Sequence, residues 1–520
     1  MAVNILWLIV MVLFTPMAGA VLNYDVFSWR SVLIVLTWTV TLLAPYVATR
    51  KRGFYIAAAA LLFADGFINL FHWIILKCPL SASSIFVFLN TNWDEASEFM
   101  TVKMTPLLLL LVPYTALFVM ALRGRGLERG RRMSATGWAV WGALWLFAAV
   151  FFTENLMHGR FVRLAVPDVE RAVVSFARES KEFAGLRTRE LFSVETRMTT
   201  EDSTLVVVIV GESCNRNHMS LYGYGRETSP RLSARRDIEV YDDVVSANSN
   251  TLRSVMNFLT ENNMEHALPI DSCVHIFDVL HSSPYRTWWL SNQSPVGLWD
   301  NGVTSLAQNA DVTTYVNLAA NSSMESTKIA SYDELLLGPL LAVLEDSAKY
   351  RMVFLHLMGC HTDYTKRYPA AFERYEVKGD KRTRTLNAYD NAVLYNDYVV
   401  DSVLRMLEAY GERHGGVLMA ALYFSDHGEN VYDEGDYAGH DWSGSIPRAN
   451  VEIPFILWRP QRDSVERGHV ATPYMIDDLY HTLLDLAGVA TPSFDSTRSV
   501  VNSHYDATRE RRLEDGTIVD

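Results

Sequence analysis

The sequence predicts an α/β chain in two parts: a bundle of five membrane-spanning helices over residues 1–156, and a soluble domain on a mostly parallel sheet over 201–520. Three observations predict it. Five long apolar segments all precede residue 156. After residue 204, short β-branched runs alternate with helical stretches, the pattern of a parallel sheet covered by helices. The charge divides at the same place. Residues 1–156 carry eleven Lys/Arg against seven Asp/Glu, a net of +4, and the remainder carries 35 against 52, a net of −17.

The apolar segments run roughly over 4–22, 31–49, 54–76, 104–122 and 137–153. At about 1.5 Å per residue each is long enough for a hydrocarbon core of about 30 Å. Ala18-Gly19-Ala20 resembles a signal-peptide cleavage site, but no basic region precedes the first segment and further spans follow, so it reads as a retained helix. Arg50, Lys51 and Arg52 lie between spans two and three, and Arg123, Arg125, Arg129, Arg131 and Arg132 between spans four and five. Positive loops face the cytoplasm, which puts the amino terminus inside and everything after span five outside. The loop between spans three and four, with Thr91-Asn92-Trp93-Asp94-Glu95, then shares a side with the soluble domain.

Residues 157–200 form a bridge. Val169, Ala172, Val173 and Phe176 recur at helical spacing among Arg and Glu. That suits an amphipathic helix on the membrane surface, and equally a linker helix packed on the soluble domain. Beyond it, strands are expected near 204–210, 285–291, 312–317, 352–357, 417–424 and 453–458, and helices at 252–261, 333–345, 384–410 and 475–487. The acidic balance of this half argues against a nucleic-acid partner, which needs a basic footprint. The cysteines Cys78, Cys214, Cys273 and Cys360 are scattered with no CxxC, and pairing among the last three stays open.

The chemistry lies at the strand ends. The run Leu205–Val210 ends in Gly211-Glu212, a second from Met352 to Leu357 ends in Met358-Gly359-Cys360-His361, and a third from Val417 to Phe424 ends in Ser425-Asp426-His427. One acid after one strand reads as readily as a surface loop residue. Three parallel strands ending in acids and histidines would bring Glu212, His361, Asp426 and His427 to one rim, where open α/β sheets place their sites. That residue set is a metal-site hypothesis. Thr251 follows the cap-forming stretch Ser246-Ala247-Asn248-Ser249-Asn250 and opens a helix, where free N–H groups favour an anion. It is a plain N-cap residue or, with a metal on its oxygen, a nucleophile.

These residues also carry a family resemblance. Gly211-Glu212-Ser213-Cys214-Asn215-Arg216-Asn217-His218-Met219-Ser220-Leu221-Tyr222-Gly223-Tyr224, then Arg226-Glu227-Thr228-Ser229-Pro230, resembles the signature of the membrane phosphoethanolamine transferases, within the sulfatase and alkaline phosphatase superfamily. The likeness continues through Asn250-Thr251-Leu252, Leu290-Ser291-Asn292-Gln293, Leu355–His361, Tyr389–Tyr395 and Phe424–Glu429, so it covers the whole soluble half.

The resemblance implies an alkaline-phosphatase-like α/β/α sandwich behind a membrane bundle in a bacterial inner membrane, with the catalytic domain in the periplasm. It implies a zinc site of Glu212, Thr251, Asp426 and His427, a second zinc being open, with Thr251 as nucleophile. His361 matches a histidine that holds phosphate or moves protons, and Thr91, Glu95 and Asn292 match donor-binding positions. Where many relatives have a histidine before a Val-Pro or Ile-Pro, this chain has Glu452; it offers His440 as a second active-site histidine. His218 and His356 read as structural. The implied reaction moves phosphoethanolamine from phosphatidylethanolamine, through a phosphothreonine-type intermediate, to lipopolysaccharide, on lipid A or a core sugar. The motif wording and Glu452 lean towards the core-sugar type of relative. A glycerophosphate transferase resembling lipoteichoic acid synthase and a non-catalytic membrane binding protein are the alternatives.

Overall fold

The computed structural model describes residues 2–22, 29–76, 106–123, 134–157, 173, 190–269, 271–293, 302–316, 331–440, 445–461 and 468–519. The loop with Thr91 and Glu95, and most of the 157–200 bridge, lie outside them. The chain divides into two compact units, one within residues 1–180 and one formed by 181–440 and 445–520.

Among the described residues the first unit contains the apolar helices α1 (Ala2–Leu22), α2 (Trp29–Thr49), α3 (Arg52–Leu76), α4 (Leu111–Leu122), entered through a 3₁₀ turn at Pro106–Leu110, and α5 (Ala135–Met157). By length and composition, α2 and α3 qualify as membrane spans, over Val32–Thr49 and Arg52–His72. The other three are apolar over Asn4–Ala18, Pro106–Leu122 and Ala135–Phe151. Leu8, Met11, Tyr46, Tyr55, Leu62 and Tyr114 share one buried cluster. Asn4 donates from Nδ2 to the Ala121 carbonyl at 2.9 Å, and Tyr55 donates to the Asn4 carbonyl at 3.2 Å. Buried polar groups among apolar helices are held by such cross-helix bonds.

The second unit is built on an eight-stranded sheet. In chain order its strands are β1 (Ser203–Gly211), β2 (Ile238–Tyr241), β3 (Tyr285–Ser291), β4 (Val312–Tyr315), β5 (Tyr350–His356), β6 (Val417–Ser425), β7 (Phe455–Trp458) and β8 (Gly468–Val470). Across the sheet they run β8-β2-β7-β6-β1-β5-β3-β4. Pairing is parallel throughout except at β7, which is antiparallel to both neighbours. β1 is central, and Leu205–Val210 are all fully buried. Each such side chain stabilises by about 1.5–3 kcal/mol, so this strand is the rigid axis of the domain.

Helices cover both faces. Leu205, Val207 and Ile209 pack with Tyr389, Val393 and Val400 of the long helix Lys381–Arg413. On the other face Phe258, at the end of α6 (Thr251–Phe258), meets Phe424 of β6 edge-on at 5.0 Å between ring centroids, and helix Leu479–Ala487 packs on β1.

The long helix also pins the loop after β1. Tyr389 donates to the Ser213 carbonyl at 2.8 Å and accepts from Asn215 N at 2.9 Å. One residue along, Asp390 contacts His218 Nδ1 at 2.9 Å, while Asp433 contacts its Nε2 at 3.1 Å. Burial works to lower the His218 pKa, but the two carboxylates outweigh it and raise it to about 9. His218 is thus an imidazolium clamp between two loops. Its contribution is fully present below the unfolded value of about 6.5 and is lost as pH rises through about 9. Replacement of His218 by Gln is expected to cost at least about 2 kcal/mol at pH 6 and little at pH 10. Denaturant unfolding at the two pH values checks this.

Candidate metal centre and active site

β5, β1 and β6 are parallel neighbours in matched register, with Val210 opposite both His356 and Phe424. Their carboxyl ends therefore finish level, and the residues just beyond them meet. Glu212 follows β1, and Asp426 and His427 follow β6. All three are essentially fully buried. Ligand atoms from the three lie within 4.8 Å of one another, a group that could hold a metal ion.

Local backbone aims them. Ser213 takes φ 54°, a left-handed conformation that costs a non-glycine residue energy and turns the chain sharply after Glu212. Its hydroxyl donates to Glu212 Oε1 at 2.8 Å. Gly359, with φ +54°, lets the loop after β5 pass over Glu212; a Cβ there would sit 2.6 Å from the Glu212 carbonyl oxygen. Thr251 is the first residue of α6, and Asn250 caps the helix by accepting from Arg253 N at 3.1 Å. That cap points the Thr251 hydroxyl at the cluster, 2.9 Å from Glu212 Oε2 and 3.4 Å from His427 Nε2.

The donor set fits a divalent cation of zinc type. It offers two carboxylates, an imidazole and a threonine oxygen, all ligand types zinc accepts in fourfold coordination. Asp426 Oδ1 accepts from Ser213 N and His427 N, yet Asp426 Oδ2 is buried with no hydrogen-bond partner among the described residues. His427 Nε2 stands 3.7 Å from it, beyond hydrogen-bond length, and a buried carboxylate oxygen so weakly held is costly unless a cation satisfies it. His427 Nδ1 lies 2.8 Å from the Gly428 carbonyl, which fixes a proton there and leaves Nε2 facing Glu212 at 3.1 Å.

Charge is frustrated in the same sense. Burial raises the Asp426 pKa, and the Glu212 carboxylate raises it further, to about 7. Burial works to lower His427, but Asp426 and Glu212 overcome it and hold it near 10. Burial works to raise Glu212, and His427 reverses that, keeping Glu212 well below the usual carboxylate range.

Two further histidines stand beside the cluster. The His440 ring centroid is 4.6 Å from that of His427. His440 Nδ1 pairs with Glu429 Oε2 at 2.8 Å, and Tyr364 donates to Glu429 Oε1 at 2.6 Å. His427, Glu429 and His440 form a second group with metal-ligand spacing. His361 N bonds to the Met358 carbonyl, and Arg367 braces the same turn through the His361 and Thr362 carbonyls. Burial lowers the His361 pKa, so the ring is neutral at pH 7.

The structure places Asn292 below the rim. It is fully buried, donates to Asp333 Oδ1 at 2.7 Å and to the Ser331 carbonyl, and accepts from Ser331. Asp333 in turn accepts from Met358 N and Gly359 N, so Asn292 braces the loop that carries His361. Glu452 is held by Asn217 at 2.6 Å and Arg448 at 2.8 Å, with Arg216 at 3.5 Å. His356 is fully buried, and burial lowers its pKa to about 4.

Gln293 is the residue that sequence reasoning passed over. Its Nε2 donates to Glu212 Oε2 at 3.0 Å and to the Leu357 carbonyl at 3.1 Å. A donor on a ligand carboxylate fixes its orientation. Gln293→Ala is expected to weaken zinc binding about tenfold, read by titration against a competing chelator.

The match to known proteins follows this geometry. Residues 204–489, more than half of the chain, match the sulfatase family model. The chain belongs to the sulfatase family. Among curated proteins, the chain is 29% identical to the phosphoethanolamine transferase EptC of Escherichia coli K12, over 90% of this chain and 85% of that one. It is 30% identical to the phosphoethanolamine transferase CptA of Salmonella typhimurium, over 58% and 54%. Such likeness over most of its length makes this family member a transferase enzyme. The C-terminal periplasmic domain of EcEptC from Escherichia coli, solved in complex with Zn, superposes with a TM-score of 0.55 at 28% identity, covering 63% of this chain and 95% of that one. Full-length EptA from Neisseria meningitidis, an integral membrane protein, shares the fold with a TM-score of 0.60 at 18% identity, over 91% and 98%. The sheet domain therefore shares the fold of the EcEptC periplasmic domain.

Proposed function

We propose that the protein transfers phosphoethanolamine from phosphatidylethanolamine to lipopolysaccharide, on lipid A or a core sugar, with Thr251 as the nucleophile. One observation carries the reading: the Thr251 hydroxyl, at a helix amino terminus, faces a buried two-carboxylate, one-imidazole cluster in which Asp426 Oδ2 has no hydrogen bond among the described residues. The relatives named phosphoethanolamine transferases supply the group transferred.

Glu212, Thr251, Asp426 and His427 would hold one zinc ion, with Glu429 and His440 available to a second. Zinc, when bound, lowers the pKa of the threonine hydroxyl and offsets charge on the transferring phosphoryl oxygens. The residues do the rest. The start of α6 presents N–H groups to the phosphoryl oxygens. Thr251 Oγ1 gives its proton to an imidazole, His440 or His361, and attacks phosphorus; the bond to diacylglycerol oxygen breaks, and that imidazolium protonates the leaving oxygen. The group is then an ester of Thr251. In the second half the same imidazole takes the proton of an acceptor hydroxyl, which attacks phosphorus, and returns that proton to Thr251 Oγ1 as the Thr251–phosphorus bond breaks. Glu429 holds His440 by Nδ1, so Nε2 is the nitrogen that exchanges protons.

The five apolar helices are read as spans of a bacterial inner membrane, with the catalytic domain in the periplasm. The basic loops support that orientation, as does the periplasmic domain of EcEptC. Thr91 and Glu95, in a loop expected on the same side of the membrane as the catalytic domain, are the proposed donor-binding residues. The purified full-length protein is expected to release diacylglycerol from phosphatidylethanolamine in the presence of zinc, and not from phosphatidylglycerol. Preference for phosphatidylglycerol would move the reading to a glycerophosphate transferase.

A further inference from the structure

Two thiols that the reaction does not use lie directly under the site. β1 and β5 are in register with Val210 opposite His356, and Cys214 and Cys360 each follow four residues later. The loops stay together beyond the strands, since Leu357 N donates to the Val210 carbonyl at 2.9 Å and Cys360 N to the Glu212 carbonyl at 2.8 Å. Both cysteines are fully buried in one apolar cluster, and their Sγ atoms are in hydrogen-bonding contact. Cys273 belongs to another loop, beside the Thr260–His275 bridge.

We propose that Cys214 and Cys360 are a disulfide-forming pair, a covalent staple between the loop that carries Glu212 and the loop that carries His361. Neighbouring parallel strand ends bring α-carbons to the separation a disulfide spans, and sulfur contact shows that the side chains already point at each other. The oxidant is of the disulfide class, such as oxidised glutathione or a protein disulfide donor. One cysteine thiolate attacks that disulfide and forms a mixed disulfide, releasing the first thiol. The other cysteine attacks the mixed disulfide at the cysteine sulfur, releasing the second thiol. The pair loses two protons and two electrons, and the oxidant leaves as two thiols. Closure comes before full burial, while the loops still open to solvent.

The staple closes a long loop of chain and constrains the unfolded state, so it raises thermal stability. It also fixes Glu212 against the turn that orients His361.

The test is a non-reducing peptide map of the full-length protein in two arms: thiols blocked at lysis, and purified protein after oxidised glutathione. Trypsin places Cys214 in residues 198–216, Cys360 in 352–366 and Cys273 in 254–286. A linked 198–216/352–366 species in either arm supports the proposal. Both thiols recovered separately alkylated in both arms, or either one linked to Cys273, overturns it. The linked form is expected to melt several degrees above the same protein after dithiothreitol, and Cys360→Ser is expected to remove that difference. Equal melting temperatures for the linked and reduced forms would overturn the staple's stabilising role.

Discussion

Thr251→Ala is expected to abolish transfer, by at least about 10³-fold in turnover. The physical reason is that nothing else described at the rim offers a hydroxyl to the cluster from a helix start. The helix itself should survive, because its cap is the Asn250 side chain and not Thr251. Alanine is also a good helix residue, so the stability change should stay within about 1 kcal/mol. Thr251→Ser keeps the oxygen and should keep measurable transfer. Diacylglycerol release from phosphatidylethanolamine, with thermal unfolding as the folding control, checks all three statements. Alanine activity near wild type would mean that the acceptor is attacked directly and that Thr251 only caps the site.

Asp426→Asn is expected to weaken zinc binding by at least about 100-fold and to remove activity with it. Asp426 carries its charge at a cost, buried beside Glu212 with its pKa pushed up to about 7. The asparagine relieves that conflict. Without metal the variant should therefore unfold no earlier than wild type, while saturating zinc should raise the wild-type midpoint and leave the variant unmoved. At zinc about 100 times Kd the wild type gains about 2.7 kcal/mol. The same groups set a pH dependence. Zinc must displace a proton from Asp426 below about pH 7, and from His427 as well below about pH 10. Affinity should thus fall as pH drops through 7, by up to tenfold per unit for each proton displaced. Calorimetric proton release in two buffers of different ionisation heat measures it. Zinc affinity flat from pH 6 to 8 would contradict this.

The parallel core was legible because its residues obey one rule. Leu205–Val210, Met352–Leu357 and Val417–Phe424 are continuous apolar runs, the mark of strands covered on both faces. Once those strands are neighbours, the residues after their carboxyl ends must converge, and Glu212, Asp426 and His427 do. The edge of the sheet was less readable. Ile238–Tyr241 is a four-residue strand that includes Glu239, which Arg459 pairs, so no apolar run announced it. The antiparallel turn of β7 depends on its partners, β2 and β6, and not on Phe455–Trp458 themselves.

Asn292 and Gln293 show a finer limit. Successive residues leaving a strand point to opposite sides. The motif marked the end of β3, but only the register of the loop decided that Asn292 faces Asp333 and Gln293 faces Glu212. His440 was picked because Glu452 stands where many relatives have a histidine; that Glu429 would hold it, and that Tyr364 would in turn donate to Glu429, depends on loops far apart in sequence.

The most direct measurement is a peptide map of the full-length protein quenched rapidly during turnover with phosphatidylethanolamine and zinc. A phosphoethanolamine adduct is expected on Thr251, in the peptide that ends at Arg253, and it should disappear when acceptor is added. Diacylglycerol release with Thr251 unmodified at every time point, or an adduct on a different residue, would contradict it.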